Sequence, residues 1–345
     1  MKFTIVAVVF LLLTIISLIF SFYLYFRLIF AVRRDEDLPG WFYKIGHAAK
    51  GRGIDYTEDL VDSCAAKEAT FIICAPILAN LVLAAYLIRQ GRTLLQATYI
   101  CLKSEFFILV ITWLVLGVLR LILGLIRRSD SGHLYASSKA VWGMSLFTCF
   151  LWMLTFSIIG FPANPVHFQL ADRDYVLGVS RGSDLLAEGY TFQDCSGGAK
   201  READDSIRNE RKDHRYYGAS LVVMREGRTY GIVNLTPGWG DEAALKDCRI
   251  TSYRIRSTDD GWNALAVQGR KVADYTLEDY QGHSLETFFH LHAADAASHV
   301  GDGIIRISLQ NGDYVLFPRY TIEGRFCEDG SPESYFIFCQ HTIWE

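Results

Sequence analysis

Apolar positions follow two different rhythms along this chain. Up to about residue 162 they form long unbroken runs, and beyond it they form short alternating ones. The first run, 3–26, contains no charged residue and is long enough to cross about 30 Å of hydrocarbon as a helix. Three more runs, at about 69–88, 106–126 and 140–161, have the same character. We read 1–162 as a domain of four transmembrane helices. The first run is too long for the apolar stretch of a secretory signal. It also ends in Tyr23, Leu24, Tyr25 and Phe26 rather than the small residues of a cleavage site. Tyr23 and Tyr25 suit a membrane–water interface, and Arg27, Arg33 and Arg34 follow them.

The polar loop after the first run carries Trp41, Phe42 and Tyr43 beside Lys44. An ordinary loop with a short helix explains them, and a segment lying flat on lipid headgroups is the competing reading. Asp55 and Glu58 fit an N-cap pair leading into the second span. Inside the spans three residues stand out. Pro76 and Asn80 share one helix face, where Pro76 frees a backbone carbonyl. Helix packing with one interhelical hydrogen bond is the simpler reading, and a hinge or polar pathway the other. Arg120 interrupts the most apolar span. It lies within two turns of Arg127 and Arg128, so we expect it to snorkel to their interface rather than enter the bundle. Glu105 sits at a span end.

The second half, 163–345, reads as a mainly-β (α+β) soluble domain, an antiparallel sandwich or barrel. Strand-like runs flank turn residues. Tyr217–Met224 and Arg228–Leu235 flank 225–227. Arg249–Arg256 and Trp262–Val267 flank 259–261. Ile304–Gln310 and Asp313–Phe317 flank Asn311-Gly312, and Arg319–Cys327 and Ser334–Trp344 flank 328–332. Asn-Gly is a strong hairpin signal because both residues tolerate positive φ. Residues 197–215 are nearly all charged or small and predict a solvated segment. Residues 284–299 look helical, with Ser284 as N-cap.

Charge changes the picture in two ways. The first 162 residues hold 15 Lys and Arg against 10 Asp and Glu, whereas 163–345 hold 19 against 28. A domain with a net charge of −9 is a poor partner for nucleic acid or an anionic lipid surface. Second, ten basic residues, among them Arg27, Arg33, Arg34, Arg127 and Lys139, fall on one side of the spans. Lys2, Arg89, Arg92 and Lys103 fall on the other. The positive-inside rule then places the polar domain outside the cytoplasm, periplasmic or extracellular, on a plasma (inner) membrane. That domain has four cysteines, an even set able to pair in an oxidising compartment. The simplest pairing is Cys327–Cys339 and Cys195–Cys248.

The only constellation with a chemical spacing is His292, Asp295 and His299, at i, i+3 and i+7 of the expected helix. With His290 or His283 nearby, such a face suits zinc or another divalent ion. An amphipathic helix with a polar face explains the same residues. No nucleophile elbow, P-loop or dinucleotide fingerprint is present. The acidic pairs at Ser183-Asp184, Asp204-Asp205 and Asp259-Asp260 read as turn residues. Asn234-Leu235-Thr236 has the form of a glycosylation sequon but ends a strand before Pro237, and we read it as chance. The leading expectation is a membrane protein that presents an acidic β-rich domain to a protein or ligand. Sensing, envelope assembly and toxin immunity are roles of that type. A metal-dependent hydrolase on the His292 face is the alternative. A channel or carrier built on Pro76, Asn80 and Arg120 is weaker, because the spans show no repeat.

Overall fold

The computed structural model describes residues 2–49, 63–127, 135–161, 163–196, 198–212, 215–238, 240–291, 293, 295–310 and 316–340. The chain forms two compact units, a helical one over Ile5–Ile158 and a β-rich one from Ile159 onward.

The helical unit contains α1 (Lys2–Arg34), α2 (Gly40–Ala48), α3 (Ser63–Arg89), α4 (Leu94–Arg127) and α5 (Ala136–Ile159). Among the described residues four helices are long and apolar enough to cross a membrane. All four begin before the apolar runs alone predict, and α1 continues through Arg34.

In lipid, apolar surface gives helices no reason to associate, so packing and polar contacts must do so. The buried residues of α1 are Ala7, Thr14, Ser17, Ser21, Leu24, Leu28 and Ala31. Their spacings of three and four make a heptad seam. Hydroxyls line its middle. Thr14 and Thr155 share a hydrogen bond at 2.9 Å. The Thr148 hydroxyl lies 2.6 Å from that of Ser17 and 2.9 Å from that of Ser21. These bonds run α1 antiparallel to α5. Further along, Leu24, Leu28 and Ala31 pack with Phe42 of α2 and Val141 of α5. Phe42 is therefore buried rather than laid on headgroups, while Trp41 stacks on Phe20 and Tyr23. Gly46 lets α2 touch the start of α5, since a Cβ there would meet the Ala136 carbonyl oxygen at 1.8 Å.

Two carboxylates of this unit, Glu68 and Glu105, have partners on a neighbouring helix. Lys139 of α5 and Glu68 of α3 are both buried, with Nζ 3.8 Å from Oε1. The ammonium also lies 5.4 Å from the centre of the Trp142 ring and 5.8 Å from that of Trp113. Lys139 is thus not a loop charge. Asn80 of α3 donates from Nδ2 to Glu105 Oε2 of α4, which supplies the interhelical bond expected of it. Pro76 is buried within α3. Arg120 lies in α4, but its side chain is outside the described residues, as are Asp55 and Glu58.

The β-rich unit begins with β1 (His167–Leu170) and β2 (Arg173–Val176). It continues through α6 (Gly182–Ala187), β3 (Thr191–Asp194), β4 (Lys200–Arg201), β5 (Ser206–Arg208), β6 (Glu210–Lys212) and β7 (Arg215–Tyr217). Then come β8 (Ala219–Arg225), β9 (Arg228–Thr236), β10 (Glu242–Ala244), β11 (Arg249–Arg256), β12 (Leu265–Val267) and β13 (Arg270–Lys271). The last elements are α7 (Leu277–Tyr280), α8 (Leu285–Phe288), β14 (Ala296–Gly301), β15 (Ile304–Leu309), β16 (Arg319–Phe326) and β17 (Pro332–Gln340). Nine strands make one antiparallel sheet in the order β14-β15-β16-β17-β11-β9-β8-β3-β4. Its ends do not meet, so it is not a barrel. A second sheet, β13-β12-β1-β2, lies on one face of the first. Phe168 of β1 stacks between Tyr175 of β2 and Tyr253 of β11, at 5.4 and 4.9 Å. Tyr253, Ile255, Ile322, Tyr335 and Ile337 line the same core. The Tyr280 and Tyr335 hydroxyls satisfy each other at 2.8 Å, and burial raises both of their pKa values.

Two predicted hairpins form. β8 and β9 turn at Glu226 and Gly227, with φ of 52° and 75°, the primed geometry of tight hairpins. β16 pairs with β17. A third does not form as expected. β11 pairs with β9 and β17 rather than β12, because a short 3-10 turn at buried Trp262 carries the chain into the second sheet. β15 is flanked by β14 and β16, and residues 311–315, which hold the expected Asn311-Gly312 turn, lie outside the described residues. The solvated segment expected at 197–215 includes β4, β5, β6 and part of β7, short strands joined by ion pairs such as Arg201–Asp194 at 2.9 Å.

The Glu68–Lys139 pair gives a testable consequence. Removing the Glu68 carboxylate takes a countercharge from a buried ammonium, and breaking a buried pair in this way costs about 3–5 kcal/mol. Glu68→Gln should therefore lower the thermal stability of the purified protein more than Glu68→Met combined with Lys139→Leu. Equal losses in a denaturation series would show that the pair does not act as a unit.

Candidate functional site

Because strand side chains alternate, the nine-stranded sheet has a second face turned away from the core. Neighbouring strands place its residues in rows. One row runs Arg306, Glu323, Phe336, Arg254, Ile232 and Val222 across β15, β16, β17, β11, β9 and β8. The next runs Ser308, Thr321, Phe338, Ser252, Asn234 and Ser220. On the other side, Arg325, Ser334 and Arg256 form a short row over β16, β17 and β11.

These rows line two adjoining depressions. One, of about 370 Å³, is bordered by Arg254, Arg256, Arg325, Glu323, Ser334 and Thr258. The other, of about 350 Å³, is bordered by Ile232, Asn234, Ser252, Phe336, Phe338 and Cys195. Arg254 and Phe336 line both, so together they form one groove with a cationic end and an apolar end. Each part has the size of an ordinary small-ligand site.

Local contacts hold the groove in shape. The Arg254 guanidinium lies 4.3 Å from the Phe336 ring centre, a cation–π contact. Arg325 Nε bonds Glu323 at 3.2 Å. Asn234 is a hub at the other end. Its Oδ1 accepts from Thr251 at 3.0 Å and Thr236 at 3.1 Å, and its Nδ2 donates to Ser220 Oγ at 3.2 Å. That engagement fits the reading of the sequon as chance. The acidic pairs at 204–205 and 259–260 serve turns as expected, whereas Asp184 closes a capping box at the start of α6. Asp184 accepts from Arg181 N at 2.8 Å, Asp205 from Glu202 N at 3.0 Å and Asp259 from Arg256 N at 2.8 Å.

The residues singled out from sequence fare differently. The helix expected over 284–299 stops at Phe288, and Ala296–Gly301 is the edge strand β14. Phe288, Phe289, Leu291 and Ala293 are all buried, a run that one helical face cannot bury, and His290 turns the chain with φ of 52°. Asp295 precedes β14 and His299 lies within it, so they share no helical face. His292 lies outside the described residues. Among the described residues no cluster of His, Cys, Asp or Glu is placed to hold a metal.

The proposed disulfides do not form, and all eight cysteines are free. Cys339 stands opposite Tyr320, seven residues from Cys327 and so about 23 Å away along a strand. Cys195 is exposed and lines the groove, whereas Cys248 is buried in the core on the opposite side of the sheet. Burial pushes the Cys248 thiol up to about 11 and the Cys339 thiol up to about 12. Both stay protonated and unreactive near neutral pH.

No protein-family model matches this chain, and neither the curated proteins nor the solved structures contain a significant match. The geometry alone therefore carries the functional argument. Sequence reasoning missed the groove because its residues come from strands more than 100 positions apart. The available signal was the repeated polar or aromatic residue at every second position of 252–256 and 334–340.

Thiol chemistry checks this arrangement. In the native protein Cys195 and Cys327 should react with a thiol reagent, while Cys248 and Cys339 should react only after denaturation. Loss of any of these four thiols from the unreduced, denatured protein would restore a disulfide.

Proposed function

We propose that this chain is a membrane-anchored recognition protein. Its four apolar helices hold an acidic, sandwich-like β domain that binds a protein or small ligand. The observation that carries this reading is the groove on the sheet face turned away from the core. Half-exposed Phe336 and Phe338, with the Asn234 hub beside them, are costly to leave without a role. Clustered aromatic and arginine side chains are also what binding surfaces enrich. Sensing and envelope assembly are the roles such an arrangement serves best. Catalysis has less support, since Asp295 and His299 share no helical face.

The domain works on the extracytoplasmic side of a plasma (inner) membrane in this reading. Setting aside Lys139, which Glu68 neutralises, nine basic residues still oppose four. Free thiols no longer add to that argument.

Two experiments test the proposal. A reporter active only in the cytoplasm should be silent when fused after Glu345 and active when inserted near Gly51, and the reverse pair would place the domain in the cytoplasm. A photo-crosslinking side chain at Ile232 in intact membranes should capture a discrete adduct. The same probe at Val179, exposed elsewhere on this unit, should not. Identical adducts from both positions, or none from Ile232, would remove the groove as the binding surface.

A further inference from the structure

The cationic end of the groove is unusual in a domain that carries 19 Lys and Arg against 28 Asp and Glu. Three exposed arginines, Arg254, Arg256 and Arg325, line one depression. Arg256 and Arg325 stand on either side of Ser334 in a single row. Strands are spaced about 4.8 Å apart, so the two Cα atoms are about 10 Å apart and both guanidinium groups can converge above the serine. Ser257 and Thr258 add hydroxyls at the rim.

Among the described residues no carboxylate lies within salt-bridge distance of the Arg254 or Arg256 guanidinium. Arg325 uses Nε on Glu323, which leaves its two terminal nitrogens to donate elsewhere. Glu323 and Glu333 also line this end, so two carboxylates partly offset the three cations. A third carboxylate, Asp259, is held at the Arg256 backbone, its Oδ2 accepting from that N–H at 2.8 Å, so the site relies on directed guanidinium donors rather than on net charge.

We propose that this end of the groove binds the phosphate of an amphiphilic phosphate monoester, and that the apolar end receives its alkyl or aromatic body. The proposal rests on the groove being the binding surface. Two flanking arginines and the hydroxyls between and beside them can direct donors to one point. That arrangement fits a tetrahedral dianion better than a planar carboxylate. The apolar body continues past Phe336 onto Phe338 and Ile232, which border the adjoining depression. The same chemistry is offered by a soluble alkyl or aryl phosphate and by a phosphatidic acid headgroup.

Calorimetric titration of the full-length protein in neutral-lipid nanodiscs tests this. Hexyl phosphate should bind saturably, inorganic phosphate more weakly, and hexanol not at all. Arg256→Gln and Arg325→Gln should each weaken hexyl phosphate about ten-fold or more. Phe338→Ala should weaken hexyl phosphate but not inorganic phosphate, and Arg228→Gln, outside the groove, should change neither. Absence of saturable binding, or binding untouched by both arginine substitutions, would overturn the site. Nanodiscs containing phosphatidic acid separate the two sources. Competition with hexyl phosphate supports a lipid headgroup, and undiminished binding supports a soluble ester. If Ile232 still captures its adduct while hexyl phosphate fails to bind, the phosphate site falls and the recognition surface stands.

Discussion

The β-rich unit depends on one geometric constraint, that a strand points alternate side chains to opposite faces. The central strands of the nine-stranded sheet commit one set of side chains to the core, as Tyr253 and Ile255 do on β11 and Tyr335 and Ile337 on β17. The other set is thereby fixed in position without being needed for the core. Arg254, Phe336 and Phe338 inherit their alignment from Tyr253, Tyr335 and Ile337. A slip of one residue in register would bury the arginines and expose the core. The apolar face therefore holds the groove in register, and the second sheet with Phe168 stacked on Tyr253 completes the packing that enforces it.

In the helical unit the constraint is different. Water is absent from a bilayer core, so polar groups must satisfy one another. Thr14, Ser17, Ser21, Thr148 and Thr155 do so along the heptad seam of α1 and α5. Asn80 and Glu105 do so between α3 and α4. Lys139 and Glu68 pair where the two tryptophans flank the ammonium. Each contact joins helices that apolar surface alone would leave unordered.

Sequence revealed what is local and concealed what is not. Four long apolar runs, one of them broken by Arg120, were enough to place the helices able to cross a membrane, and turn residues placed the β8–β9 and β16–β17 hairpins. The hydroxyl seam escaped notice because Ser and Thr are tolerated singly in apolar helices, and only their heptad spacing marks them. Glu68 and Lys139 lie 71 positions apart and each sits near a helix end, so neither looked buried. The segment 284–299 misled because its apolar residues mimic a helical face while Leu285, Phe288, Phe289, Leu291 and Ala293 all enter a core. That same misreading hid the Asp302-Gly303 turn, where φ values of 53° and 69° join β14 to β15. Cysteine parity suggested pairs, but register and the two sides of the sheet keep the sulfurs apart.

The central claim is that the face carrying Phe336 and Phe338 serves recognition while the opposite face serves folding. Chemical denaturation of Phe338→Ser beside Ile337→Ser tests it most directly, because the two residues are neighbours on one strand with opposite faces. Ile337→Ser should lower the unfolding free energy by several kcal/mol, in the range of buried large-to-small substitutions of about 2–5 kcal/mol. Phe338→Ser should lower it by about 1 kcal/mol or less. Equal losses from the two variants would mean that both faces are structural, and the groove would then have no claim to be a site.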